Sequence, residues 1–270
     1  GKVRSGEKKY FPLRLMNSAG TQLAEGKIRV RGDATRTECY FPKLKIKLKN
    51  QTTGLFAGIG DLRLNTHCGN EDADVIMGNE AGVIAEHAVY RALSLFESPQ
   101  FPTRKYRLAK IKYVDVITQT VTIKMALFIE DADELAIRYG AKAYNDEKVD
   151  PFKFLEKYRY VNPNATFAHF FNMMIGHMDY SAISFSDGSG DTIIRNIEAL
   201  LIGDTALLVP YDFDRTFVTT TKLGLQVEER SFIAGGLQFS DFLSEHNPVE
   251  QLAGLHLVAA YDRHEAATIA

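Results

Sequence analysis

Asp179, Asn196, Asp212 and Asp214 are oxygen-bearing side chains gathered between Gly176-His-Met-Asp179 and Val209-Pro-Tyr-Asp-Phe-Asp214. Two apolar runs, 197–202 and 206–209, flank Gly203-Asp204-Thr205, whose length and composition suit a tight hairpin turn. A two-residue loop sets Asn196 opposite Tyr211, and a three-residue loop sets it opposite Asp212. In either register an amide and a carboxylate meet at the open end of the hairpin. With Asp179 upstream, such oxygens suit a hard divalent cation such as magnesium, which completes its shell with water and phosphate. The chemistry outlined is phosphoryl transfer. The same Tyr-Asp-Phe-Asp also reads as a plain turn with solvated carboxylates.

Order along the chain sharpens the first reading. Asp179, then Asn196, then a hairpin, then Asp212 is the order in which a protein kinase sets its catalytic base, its metal-binding Asn and its metal-binding Asp. Here 17 residues separate Asp179 from Asn196, against roughly five in a standard catalytic loop. Ser184-Phe-Ser-Asp-Gly-Ser-Gly-Asp191 reads as a polar, flexible insertion between them.

The upstream elements must supply the rest of such a site. Lys27 to Arg31 alternates as a strand, and Phe41-Pro-Lys-Leu-Lys-Ile-Lys-Leu-Lys49 alternates strictly, which puts Lys43, Lys45, Lys47 and Lys49 on one face. One of these lysines is a candidate for the α and β phosphates of a nucleotide, with Arg31 in a loop beside them. The competing reading is a half-exposed strand whose lysines discourage edge pairing. A further strand is expected over Asp61–Cys68. A helix is expected over Gly82–Phe96, with its apolar stripe on Ile84, Ala88, Ala92 and Leu95 and with Glu86 along it. Strands over 104–117 and 121–130 form a hairpin around Thr118-Gln-Thr, and the second ends at Glu130-Asp131.

Short helices are expected over Asp133–Tyr139, Phe152–Tyr160 and Asn164–Ile175. The last is capped by Asn162 or Asn164, and its Phe167, Phe170, Phe171 and Met174 face is a core stripe. Further helices are expected over Phe239–Leu243 and Pro248–Tyr261. His177 reads as a packed histidine with a backbone partner, the alternative being a role in orienting Asp179.

Composition sets bounds. A chain of 270 residues with 45% apolar and 24% charged residues is ordinary for a globular protein and has room for two lobes. A net charge of −2 argues against a nucleic-acid protein built on a general positive field. No run is long enough for a membrane span, and no secretory signal is expected in the basic opening residues. Cys39 and Cys68 lack metal-site spacing and read as two isolated buried thiols, to be paired if the protein is exported.

Taken together, Arg29-Val-Arg-Gly-Asp33, Phe41-Pro-Lys-Leu-Lys-Ile-Lys47, Ile175-Gly-His-Met-Asp-Tyr180 and Val209-Pro-Tyr-Asp-Phe-Asp214 resemble the CotH family, the atypical protein kinases first known from bacterial spore coats. The resemblance spans residues 27–217. It implies an α+β, two-lobed protein-kinase-like fold, with an antiparallel-sheet N-terminal nucleotide-binding lobe over 1–131 and a mainly helical C-terminal catalytic lobe over 132–270. It also implies ATP with magnesium or manganese, and transfer of the γ-phosphate to a protein hydroxyl. By position, Lys45 resembles the phosphate-binding lysine, Lys43 or Lys47 taking that role if the register slips. Glu86 resembles its helix partner, and adenine would bond the backbone near Glu130. Asp179 would be the base, Asn196 and Asp212 the metal ligands, and Asp214 a further metal candidate. Two other functions fit parts of the chain: a nucleotide-binding pseudokinase, and a glycosyltransferase using Asp212-Phe-Asp214 as an Asp-x-Asp metal motif.

Overall fold

The computed structural model describes residues 9–32, 35, 39–50, 53–69, 80–114, 118–144, 154, 156–177, 180–186, 192–216, 219 and 267–269. The chain is α+β with antiparallel sheets and few helices. Strands β1 (Phe11–Asn17), β2 (Gln22–Val30), β3 (Leu44–Leu48) and β4 (Asp61–Asn65) come first. Helix α1 (Glu80–Ser94) comes next, then the hairpin of β5 (Tyr106–Val114) and β6 (Val121–Glu130). With β13 (Ala267–Ile269) they form a seven-stranded sheet in the order β13-β1-β2-β3-β4-β6-β5.

The alternation expected of β3 is what divides the two faces of this sheet. Leu13, Leu15, Ala24, Ile46, Leu48, Leu62, Leu64 and Ile111 turn to one side and pack with Phe56 and Phe128 into a core around which the sheet curls. The opposite face of β5 and β6 is covered by α1. Its buried stripe is Val83, Glu86, Val89, Tyr90 and Leu93, not the expected Ile84, Ala88, Ala92 and Leu95. Leu95 falls beyond the last helical turn and is exposed. Both stripes have helical spacing, and only the docked sheet selects between them.

After β6 come α2 (Ala132–Arg138), β7 (Lys142–Tyr144), β8 (Arg159–Tyr160) and α3 (Asn162–Met174). The strands β9 (Ser181–Ser186), β10 (Thr192–Arg195), β11 (Ile197–Ile202) and β12 (Thr205–Pro210) complete the set. The order β7-β11-β12-β8 makes a four-stranded sheet. The runs of β11 and β12 are apolar on both faces because both are covered. Ile197, Ala199, Ala206 and Leu208 pack with Ala168 of α3, while Leu200, Leu207 and Val209 pack with Leu135 and Ala136 of α2.

Several local expectations change. Among the described residues after 131 the helices α2 and α3, the helical positions Phe154, Glu156 and Lys157 and the short 3-10 turn Phe213–Arg215 stand beside these strands, so a mainly helical second half is not evident in this part of the chain. The expected helix over 152–160 gives way by Arg159, which with Tyr160 pairs parallel to β12. Of the supposed flexible insertion, residues 184–186 belong to β9, which pairs antiparallel with β10 just beyond it, and 187–191 lie outside the described residues. Helix α3 starts after Val161 with no side-chain cap. Asn164 instead bonds the backbone of Leu208 in both directions, at 2.6 and 3.1 Å, and so ties the helix to β12. Phe170 points outward and is 61% exposed, whereas Phe171 is fully buried. The helices expected over 239–243 and 248–261 lie outside the described residues.

Cys39 and Cys68 form a disulfide, which corrects the expectation of two separate thiols. The bond joins the loop between β2 and β3 to the exit of β4, where Phe41 N–H also donates to the Cys68 carbonyl at 2.6 Å. It spans a sequence separation of 29. Closing a loop of that size restricts the unfolded chain, so the Cys39→Ser/Cys68→Ser variant is expected to lose about 3–4 kcal/mol in urea unfolding. A midpoint unchanged from the oxidised protein would contradict this.

Candidate active site

The hairpin of β11 and β12 turns through Gly203-Asp204, with Gly203 at φ +61. Ile197 therefore faces Pro210, and Tyr211 N–H donates to the Asn196 carbonyl at 3.0 Å. The two-residue register holds. Asn196 and Asp212 both adopt the left-handed backbone region, at φ 56 and 59. Asn and Asp tolerate that region better than other non-glycine residues, so the two types are suited to the open end of this hairpin by backbone as well as by chemistry.

Packing holds the segment just past Asp212. Phe213 is fully buried against Tyr90 of α1, Phe171 of α3 and His177, with ring centroids 4.8, 6.1 and 5.6 Å apart. The Asp212 N–H also donates to the Tyr90 hydroxyl at 3.3 Å. With the aromatic ring anchored, the carboxylates on either side turn to a common partner. Lys43, just ahead of β3, places its Nζ 2.5 Å from Asp212 Oδ1 and 2.7 Å from Asp214 Oδ2. These residues lie 169 and 171 positions away in sequence.

Electrostatics derive from burial. Burial alone would lower the pKa of the Lys43 ammonium, but Asp212, Asp214 and Glu86 raise it above the ordinary lysine value. Burial pushes Asp212 upward too, yet Lys43, Arg31 and Arg63 together hold it well below the usual carboxylate range. Asp214 moves the other way, since burial and the neighbouring Asp212 charge outweigh Lys43. One cation thus serves two carboxylates, and the second is the easier to protonate.

Glu86 is buried on α1, and both of its oxygens accept from Asn65 Nδ2, at 2.9 and 3.0 Å. It shares the site's field, but the Lys43 ammonium sits on the two aspartates and not on Glu86. Burial raises the Glu86 pKa from 4.5 to about 7, with Lys43 pulling down and Asp212 pushing up. The folded state therefore holds this proton more tightly than the unfolded chain does, and stability falls as pH rises between about 4.5 and 7. Glu86→Gln is expected to flatten that fall and to gain about 3 kcal/mol at pH 8. Urea unfolding of both proteins at pH 5 and 8 checks it, and parallel pH profiles would contradict it.

The other candidate residues have different surroundings. Lys45 lies 3.2 Å from both Asp61 and Asp131, and Lys47 lies 3.1 Å from Asp61. Neither reaches Asp212, so of the three lysines the fold brings Lys43 to the site. Arg31 donates its N–H to the Lys43 carbonyl at 2.8 Å, and its Nη1 is buried with no hydrogen-bond partner. Glu130 is not brought to this group. Its N–H donates to the Lys105 carbonyl, its own carbonyl accepts from Arg104, and its carboxylate pairs with Arg138. His177 is buried, with Nδ1 2.8 Å from Asn172 Oδ1 and its N–H on the Asn172 carbonyl, which agrees with a packed histidine. Asp179 lies outside the described residues.

Sequence reasoning missed the residues that join the two sheets. Arg104 is fully buried, donates to Glu198 at 2.6 Å, and stacks over Tyr211 with its guanidinium carbon 4.7 Å from the ring centroid. Arg63 covers the same ring at 5.1 Å and pairs with Asp131 at 3.3 Å. The alternation of Asp61-Leu-Arg-Leu-Asn65 put Arg63 and Asn65 on one face, which was the available signal. Nothing local marks Arg104.

The donor set fits the group that the motif order suggested. Asp212, Asp214 and Asn196 offer only hard oxygens, and the two carboxylates already converge on one cationic nitrogen, as magnesium ligands must. Among the described residues no three His, Cys, Asp or Glu side chains gather as a metal site, so the amide of Asn196 would be needed beside them. The partnerless Arg31 Nη1 suits a phosphate oxygen. No helix among the described residues is long and apolar enough to cross a membrane. Comparison of the chain with protein-family models, with curated proteins and with solved structures returns no match.

Proposed function

We propose that this protein is an atypical kinase of the CotH type, which transfers the γ-phosphate of ATP to a protein hydroxyl. The observation that carries this reading is Lys43 held on Asp212 and Asp214. A lysine at the start of a strand, a buried helix glutamate and a post-hairpin aspartate share one field, in the chain order a kinase uses. In this reading the seven-stranded sheet with α1 is the nucleotide lobe, the chain after Asp131 is the catalytic lobe, and Lys43 takes the place first given to Lys45.

The roles derive from the chemistry. Asp212, Asp214 and Asn196 would hold magnesium or manganese, which when bound neutralises charge on the phosphates. Lys43 would move its ammonium from the aspartates toward the α and β phosphates, and Arg31 would add a guanidinium N–H to a phosphate oxygen. Asp179 is assigned as the base that accepts the acceptor's proton.

The test is incubation with γ-labelled and, separately, α-labelled ATP plus Mg²⁺ or Mn²⁺ and an acceptor protein, for wild type, Lys43→Met, Asp179→Ala and Asp212→Ala. Label from the γ position, reduced by about 10²-fold or more in each variant, is the expected result. Label from the α position would mean nucleotidyl transfer. A second reading, the pseudokinase, is favoured by Lys43 sitting on the aspartates and not on Glu86. Metal-dependent ATP binding without transfer would select it. The Asp-x-Asp glycosyltransferase leaves the Lys43 contact without a role, and a preference for sugar nucleotides over ATP is what would revive it.

A further inference from the structure

The register of β2, β3 and β4 assembles more positive charge than a nucleotide uses. On the face opposite the curled core, Arg29 pairs across to Lys45 and Lys45 to Arg63. One row along, Lys27 pairs with Lys47 and Lys47 with Asp61. One row the other way, Arg31 N–H meets the Lys43 carbonyl at the site itself. Like charges set directly opposite one another destabilise a sheet, so a stripe of this kind has to be offset by something.

Within the chain it is offset only in part. Lys45, Lys47 and Arg63 share Asp61 and Asp131, and Arg63 also reaches Glu198 at 3.8 Å. Lys43 takes Asp212 and Asp214. Along β2, none of Lys27, Arg29 and Arg31 has a carboxylate within ion-pair distance among the described residues. Lys27 is exposed. Arg29 spends its Nε on the Tyr10 hydroxyl at 3.0 Å and one terminal nitrogen on the Val30 carbonyl. From Arg31, just past the end of β2 and beside Lys43, cations thus recur at every second residue outward through Arg29 to Lys27, after which Glu25 is paired with Lys49.

We infer that this face binds an acidic, extended peptide segment, and that such a segment belongs to the acceptor of the proposed transfer. Side chains at every second residue of a strand repeat at about 6.7 Å, and an extended peptide repeats its own alternate side chains at the same distance. A chain of alternating carboxylates therefore meets Arg29 and Lys27 in step and leads on toward the site at Arg31. Single-stranded nucleic acid fits less well. Its bases need an open aromatic face, and the rings beside these cations are covered, Tyr10 by Lys27 at 4.9 Å and Arg29 at 5.5 Å and Tyr211 by Arg63 and Arg104. The word acceptor rests on the phosphotransfer reading; the binding surface does not.

The experiment uses a fluorescein-labelled peptide of alternating glutamate and threonine, about twelve residues long, so as to span the stripe with excess at both ends. Its binding to the full chain is measured by fluorescence anisotropy, beside a lysine–threonine peptide and an oligothymidylate of similar length. The expected result is binding of the acidic peptide alone, weakened by salt, and weakened about tenfold or more in Lys27→Glu/Arg29→Gln. The control Lys157→Glu, on an exposed lysine away from this stripe, should bind as wild type, and circular dichroism should show both variants folded. Equal affinity in wild type and Lys27→Glu/Arg29→Gln would overturn the assignment, as would tighter binding of the oligothymidylate. Peptide binding without transfer of γ-label to its threonines, in a preparation that labels the acceptor protein, would remove the acceptor role while leaving the surface standing; no label on either would remove the kinase reading as well.

Discussion

Lys43→Met is expected to destabilise the protein by about 3–5 kcal/mol at neutral pH, because it leaves two buried carboxylates without their shared cation. The same change at Lys45 or Lys47 should cost less. Asp61 and Asp131 keep other cations, and Lys47 is itself 41% exposed at the side chain. The loss at Lys43 also has a pH signature. Without the ammonium, Asp212 and Asp214 gain stability by taking up protons, so the variant should recover relative to wild type as pH falls toward 5. Adding Asp214→Asn to Lys43→Met should return part of the loss at neutral pH, since one uncompensated charge is then gone. Urea unfolding of the five proteins at pH 5 and 7.5 decides it, and equal losses for Lys43→Met and Lys45→Met would place the key lysine elsewhere.

Arg104→Met is the second large effect, with about 3–5 kcal/mol expected from breaking a buried pair on one side only. Glu198 would keep only Arg63, whose nearest nitrogen lies 3.8 Å away. The carbonyl of Glu130 would lose its donor as well. Arg104→Met/Glu198→Leu removes both charges and should recover most of the stability, because a well-packed apolar pair often replaces a buried ion pair at little cost. In the proposed kinase reading, metal-dependent ATP binding should not recover with it. Tyr211 is clasped between Arg104 and Arg63, and its neighbour Asp212 has to meet Lys43. A double variant that is stable yet has lost metal-dependent ATP binding would assign Arg104 a positioning role. Full binding in that variant would leave the pair a structural tie alone.

The elements were largely legible because their periodicity is local. Strict alternation in 43–49 marked β3, the apolar runs around Gly203-Asp204 marked the hairpin, and the helical spacing before Ser98-Pro99 marked α1. The sequence could also name Asn196, Asp212, Asp214 and Glu86 as a set, since their types and order carry the signal. Which lysine joins them was not local information. Lys43, Lys45 and Lys47 share one face of one strand, and the choice falls to whichever is level with Asp212 once the two sheets dock. Phe213 fixes that level by burying its ring between α1 and α3.

The same reason explains the other misses. The buried stripe of α1 was ambiguous because two stripes of similar spacing exist, and only the sheet it covers distinguishes Val83, Val89 and Leu93 from Ile84 and Ala88, with Ala92 partly buried against the same cluster. Cys39 and Cys68 gave no pairing signal, because proximity came from the ladder that brings Phe41 beside Cys68. Arg104 carried no local signal because its partner Glu198 lies 94 residues on. By itself the sequence determined which residues alternate, where the chain turns, and which oxygens and cations are at hand. The tertiary structure decided which of those charges meet, because pairing across sheets depends on long-range register and docking that no local pattern encodes.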